Sequence, residues 1–301
     1  MDKNKILLIL AFFSIYVFWG STYLLNKIVV TELPPLMISS LRFIIAGGLI
    51  FIIALVLKIP ILIPRKQFIN SLIAAFLFLA YGNGTIVWAL QYVDSGFASL
   101  EASTQPIVIL ILMRLLYGIK IKTKSVIGVL LGILGIYLLV SQKRIVVENE
   151  SVFAAVMIFT CVLSWSIGSL FVAKATLPKN YFIATGYQMF FGGIMLAISS
   201  FSFGEDWVAP SAWSLTATLS IIALIIFGSI AAFTSYNYLL KKVSTEKVAT
   251  AAYINPMVAV FLGWYFLDEP LSTQTIIAAG VLLTGVYFIN SAKRKLIKKA
   301  P

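Results

Sequence analysis

The chain has 301 residues, of which 60% are hydrophobic and only 11% are charged, and its mean hydropathy is +1.00. A soluble globular chain is about 45–50% apolar and about 25% charged, so this composition excludes a soluble fold and predicts an integral membrane protein. The formal charge of +12 does not indicate nucleic acid as a partner, because the basic residues lie between the apolar runs, as juxtamembrane anchors do.

Ten apolar runs follow one another along the chain, each near the roughly 17–25 residues that span a bilayer. They are Ile6–Leu25, Leu36–Leu57, Phe68–Leu90, Gly96–Tyr117, Val126–Val140, Val152–Val172, Tyr181–Phe203, Leu215–Leu240, Val248–Leu267 and Ile276–Ile289. Backbone amides in hydrocarbon must be hydrogen-bonded internally, so each run is predicted to be a helix. The first run lacks a small-residue cleavage site, which indicates an uncleaved span and not a signal peptide.

The basic residues predict the orientation of these spans. With the N-terminus inside, nineteen of the 23 lysines and arginines fall in cytoplasmic segments, three fall outside, and Arg42 lies within the second span. This asymmetry follows the positive-inside rule. Ten spans then place both termini in the cytoplasm, and we expect a multi-pass protein of the plasma membrane.

An internal repeat divides the chain into two related halves. Residues 88–140, shifted by 150 positions, align without a gap with residues 238–290, so that Pro106 falls on Pro256 and Gly135 on Gly285. We place the halves at residues 1–146 and 147–301. Five spans in each half is an odd number, so the second half enters the membrane from the opposite face. The fold class predicted is all-α, with ten transmembrane helices as two inverted five-helix repeats, an architecture typical of transporters.

The sequence resembles the drug/metabolite transporter superfamily, specifically the EamA-type exporters with two five-helix units, over essentially the whole chain. The resemblance depends on Trp19-Gly20-Ser21, Arg42-Phe43, Pro106, Pro256 and the stretch Leu267-Asp268-Glu269-Pro270-Leu271. The first half departs from the acidic stretch, with Ile119-Lys120 in place of Glu269-Pro270. The resemblance implies ten helices, cytoplasmic termini and export of small metabolites, with amino acids a common substrate class.

Two ionisable residues within predicted spans are candidates for function. Glu101 lies about two turns into the fourth span, and Arg42 lies at a similar depth in the second. Intramembrane charges cost several kcal/mol by insertion scales and usually face the interior of a bundle. Glu101 and Arg42 therefore form either a structural ion pair or a site in which the Glu101 carboxylate holds a proton or a substrate. The equivalent positions, Ala251 and Gln188, carry no charge, so this chemistry is asymmetric.

The two prolines of the repeat are predicted to be structural or gating residues together with Arg42. Each proline removes a backbone donor and frees a carbonyl about one turn earlier. Gln105 and Asn255 precede Pro106 and Pro256, and polar groups beside irregular backbone often line a cavity. The alternative is that the prolines only kink their helices.

Aromatic and amide side chains within the spans complete the predicted substrate cavity, because a largely apolar pocket with a few polar groups suits a small amphipathic solute. The alternative for each is packing or lipid contact. The full set of predicted cavity residues is Trp19, Tyr81, Asn83, Glu101, Gln105, Trp165, Tyr187, Gln188, Tyr236, Asn237, Tyr253 and Asn255. Three groups of glycines are instead predicted to permit close helix packing: Gly47-Gly48, Gly192-Gly193, and Gly128 with Gly132 and Gly135.

The function predicted is a secondary transporter that exports a small metabolite by alternating access, with proton coupling left open. The alternatives are a membrane-embedded enzyme, a receptor or scaffold, a channel, or an exporter of sugars, nucleotide derivatives or drugs. One cysteine and no histidine exclude an intramolecular disulfide, histidine-ligated metals and histidine-based nucleophiles. We expect no enzyme activity, metal or cofactor. The partners expected are a small-molecule substrate and the lipid bilayer, with a homodimer left open.

Overall fold

The computed structural model describes residues 3–93, 98, 101–140, 149–267 and 272–291, and all regular secondary structure in these ranges is helical. The helices are α1 (Lys3–Phe13, Ser14–Phe18 and Trp19–Val30), α2 (Pro35–Val56), α3 (Arg65–Ala75, Phe76–Asn83 and Gly84–Ala89), α4 (Gln105–Tyr117), α5 (Thr123–Val140), α6 (Asn149–Lys174), α7 (Tyr181–Ser202), α8 (Leu215–Ala223, Leu224–Ala231 and Ala232–Lys242), α9 (Ala251–Leu267) and α10 (Thr273–Ser291). A single helical turn, Thr245–Val248, precedes α9, and a 3₁₀ turn, Pro210–Ala212, precedes α8.

Six of the described helices are long and apolar enough to cross a membrane: Asn4–Val30, Pro35–Val56, Arg65–Ala89, Phe153–Lys174, Tyr181–Ser202 and Leu215–Lys242. The other predicted runs correspond to the shorter helices α4, α5, α9 and α10. The first helix continues five residues beyond the predicted end at Leu25. The acidic stretch 268–271 and most of the predicted boundary between the halves, residues 141–148, lie outside the described residues.

Three of the long helices change from α- to π-helical geometry in their middle. These π-helical segments are Ser14–Phe18 in α1, Phe76–Asn83 in α3 and Leu224–Ala231 in α8. A π-helical turn is wider than an α-helical turn and is often found at functional sites. The wider turn gives side chains of neighbouring helices access to its backbone carbonyls. Because such carbonyls need donors in hydrocarbon, these segments are expected to face other helices.

Two glutamates in the loops cap helices that lie far away in the sequence. Glu32, after α1, accepts hydrogen bonds from the backbone N–H and the hydroxyl of Ser214, both at 2.7 Å, at the start of α8. Glu205, after α7, accepts from the backbone N–H groups of Leu36 and Met37 at 2.9 and 2.7 Å, at the start of α2. The bond from the Ser214 amide, followed by that from its hydroxyl, holds the pKa of Glu32 below its usual range.

Helices α2 and α7 pack through glycines in two reciprocal contacts. A β-carbon at Gly47 would lie 2.5 Å from the backbone nitrogen of Phe190, and one at Gly193 would lie 2.7 Å from that of Ile44. The shift that aligns Trp19 with Trp165 also aligns Gly47 with Gly193 and Ile44 with Phe190. The two contacts therefore have the form expected when two equivalent segments meet across a local two-fold axis.

Helices α5 and α10 meet in the same way. A β-carbon at Gly135 would lie 2.7 Å from Leu282, and one at Gly285 would lie 3.0 Å from the backbone nitrogen of Gly132. Gly135 aligns with Gly285 and Gly132 with Leu282 in the internal repeat. Gly132 itself lies against the ring of Tyr253. The prediction that the glycines permit close packing is confirmed, except at Gly48, where a β-carbon would have no neighbour within 4 Å.

Two adjacent glycines in α2 give a matched test of this packing. We expect Gly47→Ala to lower the thermal stability of the detergent-solubilised protein, because overpacking against a backbone costs about 1–3 kcal/mol. Gly48→Ala should leave the melting temperature unchanged or raise it slightly, since alanine favours a helix by up to about 1 kcal/mol over glycine. Fluorescence-detected size-exclusion after heating measures both variants. Equal melting temperatures for the two would contradict the packing described here.

Candidate functional site

A cavity of about 120 Å³ lies between α1, α2, α3, α4, α6, α8 and α9. By volume it has room for several water molecules or a small solute. Its wall is largely apolar and carries a few polar side chains, which is the usual composition of a small-molecule site.

One face of α1 supplies four of the lining residues. Trp19, Thr22, Tyr23 and Asn26 all line the cavity, and their spacing of three and four residues places them on the same side of a helix. Of these four, the sequence-based prediction included only Trp19. The spacing was present in the sequence and was the signal that would have identified Thr22, Tyr23 and Asn26.

Aromatic side chains from three helices form the central part of the wall. The ring centroid of Trp19 lies 5.7 Å from that of Trp165 on α6 and 4.8 Å from that of Tyr236 on α8. The Tyr236 hydroxyl accepts a hydrogen bond from Trp165 Nε1 at 2.9 Å and shares one with the Ser169 hydroxyl at 2.6 Å. Tyr236 is 2% exposed. These bonds fix the tilt of both rings and so define the shape of the cavity.

Arg42 on α2 reaches the cavity from its position between α1 and α8. It is 3% exposed, and its Nε donates to Ser229 Oγ at 2.7 Å. Its Nη1 lies 3.4 Å from Asn26 Oδ1, and its guanidinium carbon lies 4.8 Å from the centre of the Phe43 ring. All these contacts are with uncharged groups.

The predicted ion pair between Arg42 and Glu101 is not present in the structure. The hydrogen bonds of Arg42 go to Ser229 and Asn26, and within the described residues no carboxylate lies within ion-pair distance of it. Glu101 is half-buried just before α4, next to the lining residue Ala102, and its Oε2 is buried without a hydrogen-bond partner. Depth in the sequence placed the two residues at the same level, but Arg42 contacts α1 and α8, and Glu101 makes no contact with it.

The π-helical segments connect the lining residues to the backbone. Trp19 Nε1 donates to the Gly228 carbonyl in α8 at 3.0 Å. The Cys161 thiol on α6 donates to the Gly82 carbonyl in α3 at 2.9 Å. Asn255 on α9, with its amide nitrogen turned toward α1, donates to the Ile15 and Tyr16 carbonyls, each at 3.1 Å. Each π-helical segment thus accepts a hydrogen bond from a residue that lines the cavity.

Breaks in helical geometry lie beside the cavity, but at positions different from those predicted. A turn at Ser103–Thr104 precedes α4, and a turn at Ala249–Thr250 precedes α9. Pro106 stands in the first turn of α4, where a missing backbone N–H costs nothing. Pro256 instead lies inside α9. The two prolines are therefore equivalent in sequence but differ in their position within the helix.

Six of the predicted cavity residues line the cavity, together with Arg42. These six are Trp19, Asn83, Gln105, Trp165, Tyr236 and Asn255. The structure places the other six elsewhere: Tyr81, Glu101, Tyr187, Gln188, Asn237 and Tyr253 do not line it. Intramembrane polarity alone did not distinguish the two groups, because polar side chains outside the cavity also bond to one another or to the backbone.

Four of the predicted residues that lie outside the cavity have clear structural contacts. Asn237 donates to Gln188 Oε1 at 3.0 Å between α8 and α7, where both side chains are buried. The Tyr187 hydroxyl donates to the Ile61 carbonyl at 3.0 Å. Tyr81 donates to Thr160 Oγ1 at 2.8 Å and lines a second, separate crevice of about 1040 Å³ together with Glu32 and Glu205.

The fold defines a multi-pass helical membrane protein with a largely apolar cavity between its helices. The model of the EamA-like transporter family matches the chain twice, at residues 6–141 and 152–291. The chain belongs to the EamA-like transporter family. Among the described residues, no group of three or more His, Cys, Asp or Glu side chains could hold a metal ion.

Curated relatives share nearly the whole chain. The "uncharacterized inner membrane transporter YedA" of Escherichia coli (strain K12) is 34% identical over 94% of this chain and 90% of its own length. The "uncharacterized transporter YoaV" of Bacillus subtilis (strain 168) is 23% identical over 92% of this chain and 94% of its own. A solved crystal structure, 18% identical, superposes with a TM-score of 0.76 over 95% of this chain and 99% of that chain, which shows a shared fold.

The hydroxyl of Tyr236 can be tested against a nearby tyrosine. We expect Tyr236→Phe to lower the melting temperature, because it leaves Trp165 Nε1 and the Ser169 hydroxyl without this partner, a loss of about 1–3 kcal/mol for buried groups. Tyr238→Phe, two residues along α8, is the matched control and should change it little, since its ring packs on Tyr181. Thermal unfolding followed by tryptophan fluorescence measures both. A stable Tyr236→Phe protein would show that the hydroxyl does not fix the wall.

Proposed function

We propose that the protein is a secondary transporter that exports a small metabolite through the cavity between α1, α2, α3, α4, α6, α8 and α9. The observation that carries this proposal is the cavity itself, which has an aromatic wall and polar groups deep among apolar helices. An amino acid or a related compound of similar size fits this volume and composition. The residues assigned to contact the solute are Trp19, Asn83, Gln105, Trp165, Tyr236 and Asn255, with Arg42 beside them.

The two halves, residues 1–146 and 147–301, are proposed to be inverted repeats of five transmembrane helices each. Two observations support this arrangement: the family model matches each half separately, and equivalent residues make reciprocal contacts at α2–α7 and α5–α10. In such repeats the halves exchange conformations around a fixed central site, which gives alternating access. The short helices α4, α5, α9 and α10 then complete the ten spans.

The proposed topology places both termini in the cytoplasm and the protein in the plasma membrane. The distribution of lysine and arginine supports this orientation. It puts the two glutamate caps, Glu32 on α8 and Glu205 on α2, on the outer face.

In this topology, one lysine on each face of the membrane donates hydrogen bonds to carbonyl groups at the end of a neighbouring helix. On the outer face Lys27 donates to the Leu90 carbonyl at the end of α3 at 2.8 Å. On the inner face Lys241 donates to the Ala175 carbonyl at the end of α6 at 2.7 Å. The helix pairs involved, α1–α3 and α6–α8, are equivalent in the repeat. We assign these two contacts as the ones that open in turn when the cavity changes sides.

Glu101 is proposed to couple export to protons. Its carboxyl group lies beside the cavity wall and is free of Arg42, and its Oε2 is buried without a hydrogen-bond partner. A carboxyl group in such a place can take up a proton on one side and release it on the other as the cavity changes access. A membrane-embedded enzyme is the second candidate, but the family and its named relatives are transporters.

One experiment tests transport and coupling together. Culture medium is profiled for metabolites from three strains: one with an empty vector, one expressing the protein and one expressing Glu101→Gln. We expect at least one solute to be enriched several-fold by the wild-type protein. Collapse of the pH gradient should reduce this enrichment in the wild type and leave the variant unaffected.

The outcomes of this experiment are separable. Equal profiles from the empty vector and the wild type, at verified expression, would contradict transport. If Glu101→Gln enriches the solute with the same dependence on the pH gradient as the wild type, the protein is a transporter but Glu101 does not couple transport to protons.

A further inference from the structure

Arg42 supplies the formal charge of the cavity. Among the described residues that line it, Arg42 is charged and the others are aromatic, apolar, amide, hydroxyl or thiol side chains. An isolated buried cation is unfavourable unless an opposite charge or strong hydrogen bonds compensate it. The protein supplies only two uncharged acceptors, Ser229 and Asn26, the second at the long distance of 3.4 Å.

The guanidinium group also has unused donors. It carries five N–H groups in a planar fork, and the bonds to Ser229 and Asn26 use one from Nε and one from Nη1. Nη2 makes no hydrogen bond to any residue in the described part of the chain. Arg42 is 3% exposed and lines the cavity. Its unused donors therefore indicate a hydrogen-bond partner that enters the cavity.

We propose that the transported solute is an organic monocarboxylate, and that Arg42 binds its carboxylate group. A carboxylate accepts two parallel hydrogen bonds from a guanidinium fork, which is the geometry that arginine favours. One cation balances one negative charge, so the loaded cavity carries no net formal charge. A phosphate monoester carries up to two negative charges and would leave one of them unbalanced. The proposal rests on the proposed transport function and names the substrate class.

The remainder of the wall indicates the rest of the solute. Trp19, Trp165 and Tyr236 present ring faces and edges that suit an apolar or aromatic body. Gln105 Nε2 and Asn83 Oδ1 are buried lining atoms without a hydrogen-bond partner. Gln105 Nε2 can donate a hydrogen bond to a further polar group of the solute, and Asn83 Oδ1 can accept one from such a group. The solute class is therefore an amphipathic monocarboxylate, with room for an additional small polar substituent.

Binding of four matched probes tests this inference on the purified, detergent-solubilised protein. Phenylacetate is compared with the neutral phenylacetamide, the cationic 2-phenylethylamine and phenyl phosphate. The readouts are the melting temperature and the rate at which N-ethylmaleimide alkylates Cys161, which lines the same cavity and is the protein's single cysteine. We expect phenylacetate to raise the melting temperature and slow alkylation at concentrations about tenfold lower than the other three probes.

Substitution of Arg42 assigns the effect to this side chain. Arg42→Gln should weaken phenylacetate binding about tenfold or more, and Arg42→Lys should retain part of it, since lysine keeps the charge but not the fork. Arg114→Gln, at the exposed end of α4, is the matched control and should bind phenylacetate as the wild type does. If Arg42→Gln does not fold, two results still test the proposal. They are the comparison of phenylacetate with phenylacetamide on the wild-type protein and the binding of phenylacetate by Arg42→Lys.

Three results would overturn the proposal. Phenylacetate and phenylacetamide could bind equally well, Arg42→Gln could bind phenylacetate as the wild type does, or phenylacetate could fail to bind at all. Preferential binding of phenyl phosphate would assign the site to phosphate esters and also overturn it. The exported solute gives an independent check. An enriched solute that has no carboxylate group would contradict this inference and leave transport intact, whereas no enriched solute would contradict transport itself.

Discussion

The structure depends on hydrogen bonds between side chains and the backbone of its π-helical segments. In hydrocarbon a carbonyl needs a protein donor, and the wider turns of α1, α3 and α8 offer carbonyls that neighbouring helices can reach. Trp19, Cys161 and Asn255 satisfy them, and each of these residues also lines the cavity. The same bonds therefore pack the bundle and shape the cavity at its centre, so a solute that binds in the proposed way would contact the residues that hold the helices together.

Two kinds of helix contact differ in how they respond to motion. The glycine contacts of α2 with α7 and α5 with α10 are close backbone approaches, and such interfaces are rigid because they leave no space for rearrangement. In the contacts of Lys27 and Lys241 with helix ends, each ammonium group donates one short and one long hydrogen bond to carbonyl groups, and water can replace both. The rigid pairs suit a pivot, and the lysine contacts suit positions that open.

Hydropathy predicted the helical membrane fold, because the thickness of the bilayer acts on whole runs of sequence. The motifs of the sequence predicted the family. Half of the predicted cavity residues line the cavity. Trp165, Gln105 and Asn255 line the cavity. The predicted Glu101–Arg42 pair is absent from the structure, because depth in a span gives no information on which face of the helix a side chain occupies. Pro106 shows the same limit: its equivalence with Pro256 in sequence did not reveal where α4 begins.

We propose that the cavity opens to each side of the membrane in turn, and labelling of the single cysteine tests this directly. Cys161 is treated with a membrane-impermeant maleimide in right-side-out and inside-out vesicles. We expect labelling from both sides. Lys241→Met should raise the rate from the cytoplasmic side, and the neighbouring control, Lys242→Met, should leave that rate unchanged. Labelling confined to one side, in vesicles that still transport the exported solute, would contradict it.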